Sequence, residues 1–493
     1  MSRSRTNSGT IKKGPIMLVL ILGAFITSLN QTLMGVATPQ LMLDFHITAA
    51  TAQWLTTGYL LVNGVLVPIT AFLMLRFTIR ELFQASMIVF LAGTVVAALA
   101  SGFTGLLIGR LIQAAGAGVI MPLLMNAAIK IFPPEKRGTA MGMVGLSLVV
   151  APAIGPTLAG YILDNYSWQT MFYAMIPVAI LIIIFAYIYL QDIAERVNTK
   201  LDITSAILST LGFGGLLYGL SRAGSLGWSS AEVLATIFAG VAALVIFVWR
   251  QLKSREPLLD LRAFRYNMFS LTTLIMVAAT MVMYADMMLL PLYLQNIRGY
   301  SALDTGLLLL PGALFMGLLM PIAGKLFDRF GAKWLAIIGM LITIATTFAF
   351  IDLTASTSFT YLILISTLRR LGMGLLLMPV QTTGLNQLPE SLNTHGTAIS
   401  NTVRQVAGAV GTSLLVTVMS NRTSIHAQNL ISTAAEKGWT QDVLIKEASI
   451  QGINDAYFVI AIIGIVGLLL SFLIKKVRQA SEVEAKVVKV QPN

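Results

Sequence analysis

Five ionisable side chains interrupt the long apolar stretches of this sequence, and they are the residues most able to do chemistry. They are Arg110, Asp286, Arg369, Arg370 and Arg404. A charge at the centre of a membrane-spanning helix costs about 2.5–3.5 kcal/mol on insertion scales, so such a residue generally faces a cavity or a partner. Asp286 is the only acid well inside these stretches and is therefore the first candidate to bind and release a proton. The alternative is a cap or interface role near the end of its span.

The composition excludes a water-soluble enzyme. Of the 493 residues, 56% are hydrophobic and 11% are charged, whereas soluble domains carry about 25% charged residues. A helical span takes about 20 apolar residues, so the chain can hold many spans joined by short loops. It has no cysteine, and its three histidines are scattered. Disulfides and clustered zinc sites therefore lack ligands, and no metal or other cofactor is expected.

Apolar runs separated by polar turns predict an all-α polytopic membrane protein with fourteen transmembrane helices. The predicted spans lie near 15–37, 49–74, 83–101, 103–129, 139–161, 170–190, 203–221, 231–249, 267–292, 302–324, 334–351, 359–385, 396–420 and 454–474.

The lysines and arginines outside these spans are distributed unequally between the two sides of the membrane. If the chain starts in the cytoplasm, most of them fall in cytoplasmic loops and tails. The positive-inside rule therefore predicts that both termini are cytoplasmic. These flanking residues contact anionic headgroups, so the net charge of +12 does not indicate nucleic acid. The few basic residues left outside are Arg222, Arg298, Arg422, Lys437 and Lys446.

Two pairs of segments match in the same order, which indicates an internal repeat. The pattern that begins at Pro68 recurs at Pro321, and glycines and a proline in 103–140 recur in 359–398. Equivalent spans run in the same direction, so the repeats are parallel six-span halves. The predicted organisation is a cytoplasmic basic tail (1–14), an N-terminal half (15–190), a two-helix insert with a linker (191–265), a C-terminal half (266–474) with an outside loop (421–453), and a cytoplasmic tail (475–493).

Two motifs in this frame resemble those of a known transporter family. Residues 324–333 read GKLFDRFGAK, which is similar to the cytoplasmic G-x-L-x-D-R-x-G-x-K signature of the major facilitator superfamily. Residues 110–118 are similar to the R-x-x-Q-G motif of its proton-coupled members, with Ala114 in place of glycine. The resemblance implies the superfamily's fold, with the fourteen helices arranged as six, two and six.

A third motif narrows the resemblance to one branch. Residues 151–160 resemble the G-P-x-x-G-G antiporter motif, with Ala159 in place of one glycine. Together with fourteen spans, this implies the drug:proton antiporter branch, and the run 30–32, Asn-Gln-Thr, looks most like lincomycin-type multidrug exporters of Gram-positive bacteria. In the loop after the second span the family signature has decayed to Ala71, Leu75 and Thr78.

The resemblance implies roles for the matching residues. The candidates are Asp286, Arg110 and Gln113 for proton coupling; Asn30, Gln31, Arg369 and Arg370 for the substrate cavity; Gly324, Asp328, Arg329, Lys333 and Arg76 for a conformational latch; and Pro152, Gly155, Pro156 and Gly160 for the hinge of the antiporter motif. The latch is expected to pair Asp328 with Arg329 and Lys333, although these basic residues could simply set topology. Generic helix packing is the alternative for the hinge.

These features predict a secondary transporter of a bacterial plasma membrane that exchanges protons for amphipathic drugs by alternating access. A phosphate-binding G-x-x-x-x-G-K-[ST] loop is absent from the sequence, so direct ATP coupling is not expected. Partners are therefore protons, a small amphiphile and the lipid bilayer, and a monomer is expected. An importer or facilitator of the same fold and a non-transporting membrane sensor are the alternatives. Because four buried arginines face one buried acid, and Asn30 replaces an aspartate of many relatives, neutral, zwitterionic or anionic amphiphiles should be preferred to dications.

Overall fold

The structure is a computed structural model that describes residues 13–47, 49–52, 54–191, 202–254 and 256–475. The predicted cytoplasmic tails, 1–14 and 475–493, lie almost entirely outside the described residues. Regular structure within the described ranges is helical. The α-helices are α1 (Lys13–Phe45), α2 (Ala49–Ala52), α3 (Trp54–Arg76), α4 (Ile79–Ala98), α5 (Phe103–Ile131), α6 (Arg137–Asn165), α7 (Gln169–Tyr189), α8 (Ile203–Leu226), α9 (Ala231–Lys253), α10 (Asn267–Leu292), α11 (Ala302–Phe330), α12 (Ala332–Ala349), α13 (Phe359–Gln387), α14 (Glu390–Asn429), α15 (Ile431–Lys437) and α16 (Gln441–Phe472).

The helices account for the fourteen predicted spans. In the described part of the chain, 13 helices are long and apolar enough to cross a membrane. A further one, α3, is bent by 54° between Leu66 and Ile69, and it completes the fourteen if its two arms form one span. The sequence has Pro68 at this break, where a proline ring removes a backbone donor and bends a helix.

The predicted outside loop, 421–453, is largely helical. Helix α14 continues to Asn429, the short α15 follows, and α16 begins at Gln441. The predicted spans end here because the mean hydropathy of the residues falls. A helix can nevertheless continue beyond the apolar core of a bilayer. Asp455 on α16 receives hydrogen bonds from Arg422 and from His426 on α14, and these contacts join the two helix extensions.

We call α1–α7 the N-terminal half, α8–α9 the insert and α10–α16 the C-terminal half. The halves meet along α6 and α11 on one side and along α3 and α14 on the other. Helix α8 packs against both α3 and α14, and α9 packs on α8. The insert therefore lies beside the α3–α14 contact and touches both halves.

Glycines bring helices into close contact at equivalent places in the two halves. A Cβ atom on Gly116 of α5 would lie less than 3.0 Å from the backbone of α4, and a Cβ atom on Gly372 of α13 would lie equally close to Gly339 of α12. Small residues allow such backbone approach between membrane helices. Gly116 and Gly372 are partners in the sequence repeat, so the repeat corresponds to a repeated helix contact.

Candidate substrate cavity and the contacts that close it

A cavity lies between the two halves, with a volume of about 1610 Å³ that includes the part open to solvent. The N-terminal half contributes α1, α3, α5 and α6 to its wall, and the C-terminal half contributes α10, α11, α13 and α14. Both halves therefore contribute helices to one shared cavity.

Methionine is the most frequent residue type in the cavity wall. The thioether side chain is flexible and polarizable, so a methionine-rich surface adapts to apolar bodies of different shape. Amide and hydroxyl groups interrupt this surface, among them those of Gln31, Asn63 and Gln405. The methionines are Met121, Met276, Met283, Met287, Met316, Met320, Met373 and Met378.

Three arginines from the C-terminal half line the cavity. Arg369 and Arg370, both predicted for this site, lie on α13, and Arg404 lies on α14. The wall contains no carboxylate among the residues whose side chains the structure describes. The side chain of Asp286, the predicted proton carrier on α10, is outside this set. The described wall is therefore cationic.

Arg369 is fixed by its surroundings. It is 1% exposed, its Nη2 donates to the carbonyl oxygen of Val282 at 3.2 Å, and its guanidinium carbon lies 5.6 Å from the ring centre of Phe350 and 5.5 Å from that of Tyr457. Aromatic faces attract a cation electrostatically. These contacts hold a positive charge beside the turn of α10 that contains Val282.

Arg110 lies in a second polar cluster, behind the cavity wall of the N-terminal half. Its side chain is 0% exposed, and its guanidinium carbon lies 4.3 Å from the ring centre of Tyr59, which lines the cavity. Its Nη1 donates to Asn30 Oδ1 and, at 3.0 Å, to Gln113 Oε1. Gln113 in turn donates to Thr94 Oγ1 at 2.9 Å. The predicted coupling residues Arg110 and Gln113 are thus joined by a direct hydrogen bond.

The structure separates two neighbouring residues of α1 that were predicted to share the cavity. Gln31 lines it, whereas Asn30 is 1% exposed and belongs to the Arg110 cluster. Successive helical residues differ by about 100° in direction, so the two neighbours have different surroundings. Within the described residues, Nη2 of Arg110 has no hydrogen-bond partner, which leaves one donor of this cluster unused.

Asp328 connects the two halves at one end of the bundle. Its carboxylate accepts hydrogen bonds from the backbone N–H groups of Gly138 (2.8 Å) and Thr139 (2.9 Å) and from Thr139 Oγ1 (2.6 Å), all at the start of α6. A helix N-terminus has unpaired N–H groups and a partial positive charge, so a carboxylate is well placed there. In the described chain, the hydrogen bonds of Asp328 therefore go to the opposite half and not to Arg329 or Lys333, contrary to the expected ion pair.

Further contacts between the halves surround Asp328, and we call this region the interlocked end. They join Arg137 Nη1 to Asn386 Oδ1 (3.0 Å), Thr394 Oγ1 to Asn126 Oδ1 (3.2 Å), and Met125 Sδ to Gln381 Nε2 (3.6 Å) and Asn401 Nδ2 (3.3 Å). Asn401 also lines the cavity, so this layer closes the cavity on the Asp328 side.

Gly138 and Gly324 make the closest backbone approach at the interlocked end. A Cβ atom on either one would lie less than 3.0 Å from the carbonyl oxygen of the other. Gly324 was predicted to be a latch residue, whereas Gly138 was identified only as part of the sequence repeat. Partners such as Asn126, Asn386 and Thr394 were missed, because their significance depends on contacts between distant parts of the chain.

The other latch candidates lie near the interlocked end but do not join the halves in the contacts described above. Arg329 places its guanidinium carbon 5.2 Å from the ring centre of its neighbour Phe330. Lys333 belongs to the first turn of α12, and Arg76 is the exposed last residue of α3. Their predicted role stays a prediction.

The residues of the antiporter motif differ in their surroundings. A Cβ atom on Gly155 would collide with the Thr32 side chain of α1, and Pro152 lines the cavity. A Cβ atom on Gly160 would find its nearest neighbour at 3.9 Å, an ordinary contact. The side chain of Pro156 lies outside the described residues. Within the motif, Gly155 is the glycine that a close contact requires.

We therefore expect Gly155→Ala and Gly160→Ala to behave differently. Overpacking a membrane helix contact should cost about 1–3 kcal/mol at Gly155, because the Thr32 hydroxyl is held by the Leu29 carbonyl at 2.9 Å. Gly160→Ala should be neutral. Thermal unfolding and transport of both purified variants check this. Equal loss in the two variants would show that the motif does not act through the contact with α1.

Asp328→Asn should weaken the interlocked end. The substitution removes the negative charge at the α6 N-terminus and one acceptor oxygen, a loss of about 1–3 kcal/mol. Solvent accessibility of a cysteine introduced at Thr394 should rise, and the absence of native cysteine makes the label specific. Asp442→Asn, in the first turn of the exposed start of α16, is the matched control and should leave this accessibility unchanged. An Asp328 variant with unaltered labelling would contradict the role assigned to the carboxylate.

A helical membrane bundle whose two halves enclose a cavity, closed at one end by contacts between the halves, has the architecture of a membrane transporter. Residues 20–412 match the family model described as Major Facilitator Superfamily. The chain belongs to this superfamily: it is a multi-pass membrane transporter and not an enzyme.

Relatives and a solved structure agree with this membership. The uncharacterized MFS-type transporter YhcA of Bacillus subtilis is 46% identical over 495 residues, which cover 94% of this chain and 93% of that protein. The lincomycin resistance protein LmrB of Bacillus subtilis is 41% identical, with 94% of this chain and 96% of that protein covered. The superfamily proton:xylose symporter XylE superposes with a TM-score of 0.63 at 14% identity, over 96% of this chain and 98% of that one. The family resemblance drawn from the motifs is confirmed.

Proposed function

We propose that this protein exports amphipathic small molecules in exchange for protons. The observation that carries the proposal is the methionine-lined cavity between two halves that are joined at the interlocked end by polar contacts and a close glycine approach. Relatives named for lincomycin resistance and for multidrug export support efflux. Substrate binds in the cavity, and the halves rock so that the cavity opens to each side in turn.

The orientation of the transport cycle follows from the basic residues. The interlocked end carries Lys130, Lys136, Arg137, Lys325 and Arg329 at or near its helix ends. Positive residues favour the cytoplasm. The interlocked end is then cytoplasmic, and the structure is the state in which the cavity is closed to the cytoplasm.

Asp286 is the proposed proton carrier, and its place on α10 supports this. Residues four apart lie on the same face of a helix, so position 286 lies one turn along from Val282, whose carbonyl oxygen accepts from Arg369. A protonated carboxyl and a carboxylate differ in their attraction to a nearby cation. Proton binding at Asp286 can therefore change the contacts between α10 and α13, the two cavity helices that carry these residues.

Proteoliposomes that hold the purified protein and a trapped pH dye provide the test. Under an imposed proton gradient, adding a transported amphiphile should produce proton movement in the direction opposite to substrate flux. Proton and substrate moving in the same direction would indicate a symporter, and substrate flux that ignores the gradient would indicate a facilitator.

The arginines of the cavity predict a charge preference among substrates. Arg369, Arg370 and Arg404 line a wall in which no carboxylate is described, and two charges at about 4 Å interact by roughly 4 kcal/mol at an effective dielectric constant near 20. Among amphiphiles that share one aromatic scaffold, we expect carboxylate, neutral and zwitterionic forms to bind more tightly than a dicationic form. Binding titrations of the series check this. Tightest binding of the dication would overturn the preference.

A further inference from the structure

A second opening lies outside the substrate cavity, between the insert and the C-terminal half. It has a volume of about 740 Å³, including the part open to its surroundings. Its walls are apolar side chains of four helices, such as Phe213 and Leu216 of α8, Leu244 of α9, Val277 of α10, and Val406 of α14. We call it the insert groove.

The insert groove lacks the groups that a drug-binding site uses. Small-molecule sites combine an apolar wall with a few convergent polar groups that orient the ligand. The one hydroxyl-bearing side chain on this wall, Thr402, donates to the carbonyl oxygen of Ala398 at 2.9 Å. The groove therefore suits a flexible apolar chain that needs no orientation by hydrogen bonds.

One end of the groove carries basic residues. The 3-10 turn Leu261–Arg265 closes this end with Leu261 and Phe264. In such a turn, side chains three residues apart share a face, so Arg262 and Arg265 share the neighbouring face at the rim. Arg265 is exposed.

The end of α9 adds a cation and an aromatic ring at the same level. Lys253 is exposed, and its Nζ lies 4.2 Å from the ring centre of Trp249, which is 59% exposed. Tryptophan and lysine are typical of the level at which headgroups meet acyl chains. The rim is therefore suited to an anionic lipid headgroup, and the groove is suited to the acyl chain attached to it.

Two neighbouring arginines are already engaged and do not contribute to this rim. Arg250 donates to both carboxylate oxygens of Asp202 at 2.9 and 3.0 Å, and this contact holds the pKa of Asp202 at about 2, so the pair stays ionised. Arg262 Nη2 donates to the carbonyl oxygens of Leu252 (3.5 Å) and Ser254 (3.0 Å), which fixes the turn. Among the described residues at this rim, Lys253 and Arg265 are the exposed cations that remain.

We propose that the insert groove is a binding site for an anionic phospholipid, with an acyl chain in the groove and the phosphate held by Arg265 and Lys253. The lipid fills the space between the insert and the C-terminal half, and it ties α8 and α9 to α10 and α14. The proposal does not depend on the direction or coupling of transport.

The test uses the full-length protein purified in detergent and stripped of lipid. Native mass spectrometry with phosphatidylglycerol and phosphatidylethanolamine of identical acyl chains should show preferential binding of phosphatidylglycerol, together with a higher unfolding temperature. The double variant Lys253→Gln/Arg265→Gln should lower phosphatidylglycerol affinity roughly tenfold or more, because each basic residue near an anionic surface contributes about 1 kcal/mol. Lys446→Gln, an exposed lysine on α16, is the charge control and should bind as wild type.

A second pair of variants tests whether the acyl chain of the lipid lies in the insert groove. Val406→Trp should fill the groove and reduce binding of both lipids, whereas Val245→Trp, on an exposed face of α9, should not. Equal binding of the two lipids by wild type would overturn the proposal. So would unchanged binding in the double variant, or full lipid binding in folded Val406→Trp. Displacement of the bound lipid by a transported amphiphile would also overturn it and would assign the groove to substrate.

Discussion

Replacing Asp286 with asparagine is expected to abolish substrate-driven proton movement. Asparagine keeps the size of the side chain but cannot bind and release a proton near neutral pH. If Asp286 carries the proton, the signal in proteoliposomes should fall to that of empty vesicles, while the variant still binds substrate. Wild-type proton movement in Asp286→Asn would remove Asp286 from the mechanism and leave coupling to another group.

The matched control for this prediction is Asp304→Asn. Asp304 is an acid at the start of another cavity helix, α11, where it accepts from the backbone N–H (3.1 Å) and hydroxyl (2.7 Å) of Ser301 as part of a capping box. The Ser301 hydroxyl still accepts from the backbone N–H of residue 304 in this variant, so the substitution should cost less than the roughly 0.5–2 kcal/mol of a lost N-cap and leave the proton signal intact. Loss of the signal in both variants would indicate a general defect.

The second large effect is expected for Gly324→Ala, which should stop the interlocked end from closing. The added Cβ atom would lie less than 3.0 Å from the backbone oxygen of Gly138, an atom that cannot move without shifting α6. Overpacking costs about 1–3 kcal/mol, so the closed state should fall roughly 10- to 100-fold in population. Transport should fall accordingly, because the cycle passes through this state.

The position of the interlocked end can be followed with a single cysteine in the cysteine-free chain. A cysteine at Asn126 should react with a membrane-impermeant thiol reagent faster in Gly324→Ala than in the parent protein. Gly14→Ala places the same substitution in a helix where a Cβ atom meets nothing within 4 Å, so it should leave both labelling and transport unchanged. Slow labelling in Gly324→Ala would show that the backbone contact does not control closure.

The sequence predicted the parts of this protein that depend on local patterns. Runs of apolar residues gave the spans, the recurrence of Gly116 as Gly372 gave the repeat, and segment 324–333 gave the family. The predicted outside segment 421–453 is largely helical in the structure, which its polarity did not indicate, because a fall in hydropathy does not mark the end of a helix. Spans, repeats and family motifs can be predicted because each depends only on residues that are close together or repeated along the sequence.

Contacts between distant segments could not be predicted. Asn30 and Gln31 are adjacent and both polar, and only the rotation of α1 in the bundle decides that one lies beside Arg110 and the other faces the cavity. Asp328 was predicted to be a latch residue, but its partners are backbone N–H groups at the start of α6. Such partners cannot be recognised from residue types. The methionines of the cavity wall could not be predicted either, because methionine is also common in buried apolar cores.

The chemistry of the interlocked end affects how easily it can open. Asp328, Arg137 and Thr394 each exchange a hydrogen bond across the halves, and water can replace each of these when the halves separate. The net contribution is about 0.5–1.5 kcal/mol for a bond between neutral groups and about 1.5–3 kcal/mol for a bond to a charged group, because opening trades one partner for another. An apolar seal would instead expose surface at roughly 25 cal/mol per Å². The polar seal therefore keeps the closed and open forms close in free energy, so modest differences in ligand or proton binding are enough to move the protein between them.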